Sequence, residues 1–188
     1  MDMGLTGKVA IITGGSEGIG FASAMSMARE GARVAIAARR PDVLEAAAER
    51  IRTETGNSDV IGVPTDARDE AQVQALVRRV VEQWGTVDIL VNNAGTSAAA
   101  KFENVTDETW DGDLRLKVYG AIYCVRAVVP LMQAAGGGRI INITVPTRYL
   151  HSHTGVIHRN DVAGAVRLVT EVVRRLDEAT VARIRAFD

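Results

Sequence analysis

Thr13–Gly20, TGGSEGIG, is the stretch whose reading decides the fold. The run before it, Lys8–Thr13 (KVAIIT), is short, continuous and apolar, as a strand buried on both faces is. The run after it, GIGFASAMSMAREGA from Gly18, has helix length and stops at Gly31, a residue suited to the position just past a helix. A glycine pattern by itself is weak. Set between a strand and a helix, it is a turn built to hold phosphate. Glycine permits the tight turn and lets backbone approach a pyrophosphate, and the helix N-terminus offers free N–H groups and a partial positive charge.

Strand-like and helix-length segments alternate outward from this turn. Arg33–Ala38 (RVAIAA) reads as a second strand, and Pro41–Gly56 as a helix with proline in its first turn. Asp59–Thr65 is a third strand. Asp69–Gly85 is an amphipathic helix with Val73, Leu76, Val77, Val80 and Val81 on one face. Val87–Gly95 (VDILVNNAG) is a fourth strand running into a glycine turn. Thr106–Ala135 reads as a long helical region and Gly138–Thr144 as a fifth strand. After an irregular loop, Asn160 can cap a helix whose apolar positions are Val162, Val166, Val169, Val173 and Leu176, and Val181–Phe187 reads as a sixth strand. Such alternation implies a parallel sheet with helices on both faces. The expectation is one Rossmann-like, doubly wound α/β/α domain over residues 1–188, with strand order 3-2-1-4-5-6.

Composition narrows the function. Hydrophobic residues make up 47% and charged residues 24% of the 188, ordinary for a soluble globular chain, and the formal net charge is −1. Nucleic-acid binding calls for a basic excess or stripe, so no such partner is expected. No apolar run approaches the ~18 residues of a membrane span. The one cysteine, Cys124, lies in the apolar stretch AIYCVRAVV and reads as a core residue. A single cysteine cannot form an intrachain disulfide, which fits a reducing compartment, and no apolar leader follows the N-terminus. A cytoplasmic location is expected. His151, His153 and His158 crowd together, but they have no partner cysteine and no standard spacing, so they read as a solvated loop and no metal is expected.

The glycine order TGxxxGxG (Gly14, Gly18, Gly20) resembles that of the short-chain dehydrogenase/reductase family. Three further stretches carry the same resemblance: VPTDARD, NNAG (Asn92–Gly95) and GGGRIINIT. It runs from about Leu5 to Thr144, in order and in register. The resemblance implies that Gly14, Ser16, Gly18, Ile19 and Gly20 form the dinucleotide-binding turn. It places Asp66 and Ala67 at the adenine, and Asn93, Ala94 and Gly95 against the cofactor backbone.

The choice of dinucleotide is read at the end of the second strand. Folds that bind NAD typically carry an acidic residue there, to accept hydrogen bonds from the ribose 2′-OH. Here Ala38 is followed by Arg39 and Arg40. A carboxylate would repel a 2′-phosphate, whereas a guanidinium binds it bidentately, so NADP(H) is favoured over NAD(H), with Arg39 ahead of Arg40. Glu17 argues the other way, because many NADP-preferring relatives place a basic residue in that turn.

The resemblance also implies hydride transfer between nicotinamide and a small carbonyl or alcohol. The family uses a tyrosine as the proton donor and acceptor, a lysine four residues later, a serine after the fifth strand and a helix asparagine. This chain departs from that set. None of Tyr119, Tyr123 and Tyr149 has lysine four residues on, and the last lysine is Lys117, which takes the asparagine position. The serine position falls at Thr144 or Val145, the tyrosine near His158 and the lysine near Val162. Thr144 retains a hydroxyl, and His158 can in principle donate a proton; these two are the catalytic candidates. Residues 145–188 are either a colinear but degenerate continuation, shorter than the family, or the far side of an internal deletion. Three functions stay open: an active reductase or dehydrogenase, a non-catalytic dinucleotide-binding or interaction protein, and an incomplete form of a complete enzyme. A homo-oligomer is expected, joined through the last strand edge or the long helices.

Overall fold

A computed structural model describes residues 4–95 and 104–143. Five strands, β1 (Val9–Thr13), β2 (Arg33–Ala38), β3 (Val60–Pro64), β4 (Ile89–Asn92) and β5 (Arg139–Asn142), form one parallel sheet in the order β3-β2-β1-β4-β5. Helices α1 (Gly18–Arg29), α2 (Pro41–Thr55), α3 (Glu70–Trp84), α4 (Asp107–Leu114) and α5 (Gly120–Ala134) make the crossovers. The parallel Rossmann-like sheet and its first five strand positions are as the alternation predicts. The helix expected from Asn160 and the strand expected at Val181–Phe187 lie outside the described residues, as do Thr144 and His158.

The strands are apolar on both faces because both faces are covered. In β1, Ala10 and Ile12 pack with α1 and α2 residues such as Ala24, Met25, Leu44, Ala48 and Ile51. Val9 and Ile11 point the other way, onto Val73, Leu76, Val77 and Val80 of α3 and Cys124, Val128 and Met132 of α5. Each fully buried valine, leucine or isoleucine among them stabilises the fold by roughly 1.5–3 kcal/mol relative to leaving it in water. Four of the five residues expected on the buried face of α3 are buried, and Val81 packs at the margin.

The long helical region expected over Thr106–Ala135 is helical from Asp107 to Ala134, with a change of winding inside it. A π-helical turn, Arg115–Tyr119, separates α4 from α5. The turn ends at Gly120, which packs so closely on the loop after β3 that a Cβ there would lie 3.0 Å from the Ala67 carbonyl oxygen. Its wider winding delivers Leu116 to the interior while Trp110, Leu114, Val118 and Tyr119 stay exposed.

Cys124 is buried, and burial pushes its thiol up to about 12. The thiolate is the reactive form, so Cys124 should resist a thiol reagent at pH 8 in the folded protein and react fully in denaturant. Rapid labelling of the native protein would mean that the packing of α5 on the sheet is wrong.

Candidate functional site

The strand order reverses between β1 and its two neighbours, β2 and β4, and a crevice opens beyond the strand ends there, where open α/β sheets bind ligands. The cleft has a volume of 340 Å³. It gathers Gly14, Ser16, Gly18 and Ile19 from the turn after β1, Arg39 and Arg40 from the end of β2, Asp66 and Ala67 from the loop after β3, and Asn93, Ala94 and Gly95 from the end of β4. Of the twelve residues expected at the cofactor, Gly20 alone is not on this lining.

Local chemistry explains the shape of the turn. The Gly14 and Gly15 N–H groups both donate to the Ala37 carbonyl oxygen, at 2.7 and 3.3 Å, which pins the turn to β2. Gly18 has φ 58°, in the left-handed region, and a Cβ there would meet nothing within 4 Å. Its freedom therefore serves both the backbone conformation and the open space in front of it. The first bond inside α1 runs from Phe21 N–H to the Glu17 carbonyl, 3.2 Å. The N–H groups of Gly18, Ile19 and Gly20 precede it, so the helix gives them no acceptor. Nor does the Glu17 side chain cap them. The contrast is α3, whose N-cap Asp69 accepts from the Ala71 and Gln72 N–H groups at 2.9 and 3.2 Å. The start of α1 is open to an anion.

Gly20 works behind the turn. A Cβ at this position would collide with the Gly14 carbonyl oxygen and the Asn93 amide. Its absence lets α1 close onto the strand ends. Gly20→Ala should lower unfolding free energy by about 1–3 kcal/mol, the usual cost of overpacking, read as a shift in the urea midpoint. An unshifted midpoint would show that the turn has room to spare.

A small polar network joins this turn to the end of β4. The Thr13 hydroxyl accepts from the backbone N–H groups of Asn93 (3.0 Å) and Ala94 (3.1 Å). The Asn93 amide donates to the carbonyl oxygens of Thr13 (3.0 Å) and Gly14 (3.1 Å). Next to it, the Asn92 amide donates to Asn142 Oδ1 on β5 at 2.9 Å. The asparagines of the NNAG stretch thus hold the floor of the cleft with their side chains. Thr13 was not among the expected site residues; its signal is a hydroxyl closing an otherwise apolar strand.

Charge collects at the β2 and β3 side. Arg40 Nη2 donates to Glu17 Oε2 at 2.6 Å, an exposed pair that spans from the strand end to the turn. Among the described residues Arg39 makes no side-chain hydrogen bond or ion pair; it is exposed on the cleft. Asp66 is gripped by Arg68, whose Nε donates to both carboxylate oxygens at 3.0 and 3.1 Å. That guanidinium holds the Asp66 carboxyl below the usual range, and the charge of Arg39 acts in the same direction.

On the α4–α5 side, Leu116 of the π-helical turn lines the cleft. It too was not anticipated, although its spacing of four from Gly120 and eight from Cys124 marks the buried side of the helix. Beside it, Lys117 Nζ donates to Asp113 Oδ2 at 2.6 Å, and a Cβ on Gly95 would lie 3.9 Å from Lys117 Cε. The ammonium that stands at the family's asparagine position is therefore ion-paired at the edge of the cleft. Among the described residues no cluster of His, Cys, Asp and Glu is arranged to hold a metal, and no helix is long and apolar enough to cross a membrane.

This geometry agrees with comparisons to known proteins. Residues 8–154 match the short chain dehydrogenase family. L-Sorbose reductase from Gluconobacter frateurii, solved with NADPH and L-sorbose, is 38% identical, with a TM-score of 0.75 over 93% of this chain and 67% of that one. A metagenomic short-chain oxidoreductase solved with NADP is 33% identical, with a TM-score of 0.69 over 74% of this chain and 63% of that one. A 3alpha-hydroxysteroid dehydrogenase of Mediterraneibacter gnavus is 37% identical over 142 residues, 76% of this chain and 57% of that protein. The chain belongs to the short-chain dehydrogenase/reductase family. It spans a little over half the length of the curated relatives it matches.

Proposed function

We propose that the chain binds NADP(H) in this cleft, as the nucleotide-binding part of an oxidoreductase acting on a small carbonyl or alcohol. The observation that carries the reading is Arg39, exposed on the cleft wall and, among the described residues, without a side-chain hydrogen bond or ion pair, beside Ala38 where a carboxylate would select the 2′-OH. The likeness to two proteins solved with NADPH and NADP supports it. The pyrophosphate would lie on the open N–H groups at Gly18 and Ile19, with Ser16 beside them. The adenine would lie at Asp66 and Ala67, and the remainder against Asn93, Ala94 and Gly95. Once bound, the cofactor supplies or accepts hydride at its nicotinamide.

A second reading is binding without turnover. It is favoured by the sequence, in which no tyrosine has lysine four residues on and lysine replaces the helix asparagine. Under the first reading the proton would fall to Thr144 or His158. NADPH fluorescence separates the two, titrated with and without a carbonyl panel that includes L-sorbose and a 3-ketosteroid. Binding with oxidation supports the first reading, and binding without it supports the second. A cooperatively melting protein that leaves NADPH fluorescence unchanged would overturn both.

The same reading takes residues 1–188 as one domain, cytoplasmic in line with its single buried thiol. It also expects a homo-oligomer, in line with the exposed stripe of Trp110, Leu114, Val118, Tyr119 and Ile122.

A further inference from the structure

We infer that Glu17 is a built-in competitor for the 2′-phosphate: its carboxylate occupies the Arg40 guanidinium and so sets how strongly the cleft distinguishes NADP(H) from NAD(H). The inference rests on the NADP(H) reading above and adds a determinant to it.

Geometry comes first. Glu17 and Arg40 both line the cleft and meet at 2.6 Å, although they are 23 residues apart and belong to different elements. Glu17 occupies the N-cap of α1, where a short side chain would normally bond the first helical N–H groups. It makes no such bond and reaches across to the end of β2 instead. A carboxylate on a guanidinium uses the same donors that a phosphate monoester would use. The two arginines are therefore unequal: Arg39 is ready for an anion, and Arg40 must first be released.

Charge points the same way. Arg39, Arg40, Glu17 and Asp66 line this end of the cleft, and Arg68, off the lining, pairs with Asp66; the five groups together leave one net positive charge. A phosphate monoester carries about −1.5 to −2 near neutral pH. Removing the Glu17 charge raises the net to two and matches that ligand. Both partners of the Glu17–Arg40 pair are exposed, and exposed pairs are weak. Phosphate can therefore displace the carboxylate, at a cost that NAD(H), lacking the phosphate, never meets.

The test is a double-mutant cycle on the full chain: wild type, Glu17→Gln, Arg40→Ala and the pair together. Each is titrated calorimetrically with NADPH, NADH, adenosine 2′,5′-bisphosphate and 5′-AMP, with a thermal melt for each variant. Glu17→Gln should tighten NADPH and the bisphosphate by about three- to fivefold, and leave NADH and 5′-AMP unchanged within about 1.5-fold. Most of the gain should be lost when Arg40 is also alanine, leaving only the small effect of the removed charge. A wild type that prefers the 2′-phosphorylated ligands but does not respond to Glu17→Gln would overturn this inference alone. So would equal tightening of all four ligands, because it would place the repulsion at the adenosine 5′-phosphate that all four share. A wild type without preference for the bisphosphate over 5′-AMP would overturn the NADP(H) reading and the inference with it.

Discussion

Gly18→Val is expected to abolish binding of NADPH and NADH alike, weakening both by at least about 100-fold, or ~2.8 kcal/mol. Two effects add. The residue sits at φ 58°, where a side chain costs roughly 1–2 kcal/mol and a β-branched one fits worst. The valine would also fill space that is open in front of the turn, on the cleft lining itself. A pyrophosphate needs backbone N–H groups at contact distance, and a branched side chain holds it away. NADPH fluorescence checks the loss and a thermal melt checks that the fold survives. Retained affinity would show that the turn does not carry phosphate.

Arg39→Ala should weaken NADPH by roughly ten- to a hundred-fold, the loss of a charged hydrogen bond worth about 1.5–3 kcal/mol, while NADH changes little. Arg39 bears this larger effect because, among the described residues, no carboxylate is bonded to it, whereas Arg40 is already held by Glu17. Parallel titrations of the two cofactors give the answer as a ratio. Equal losses would sink the assignment of Arg39 to the 2′-phosphate.

Much of this was legible along the chain. Elements announce themselves through near neighbours: an apolar run, a glycine order, a helix period. The turn at Thr13–Gly20 needed only a strand before it and a helix after it, and so the cleft could be placed from sequence. What stayed hidden is set by residues far apart. That Glu17 takes Arg40, that Arg68 grips Asp66, and that Gly20 clears the Gly14 carbonyl instead of facing the cleft are facts of packing. The π-helical turn is hidden for a different reason: Thr106–Ala135 has a good helical pattern throughout, and the wider winding appears only next to the close approach of Gly120 to Ala67. The departures at Lys117 and beyond were legible as departures, because a missing residue type needs no structure to be noticed.

The Asn93 side chain makes the two strand-end turns a single unit of motion. One amide holds the carbonyls of Thr13 and Gly14, and one hydroxyl holds the N–H groups of Asn93 and Ala94, so neither turn can swing away without breaking the bonds of the other. In hydrogen-exchange terms the amide protons of Asn93 and Ala94 are expected to open together, at a free energy nearer that of the sheet than of a surface loop. A ligand arriving between the turns meets walls that have already lost their freedom. At these two turns it bears little further ordering entropy.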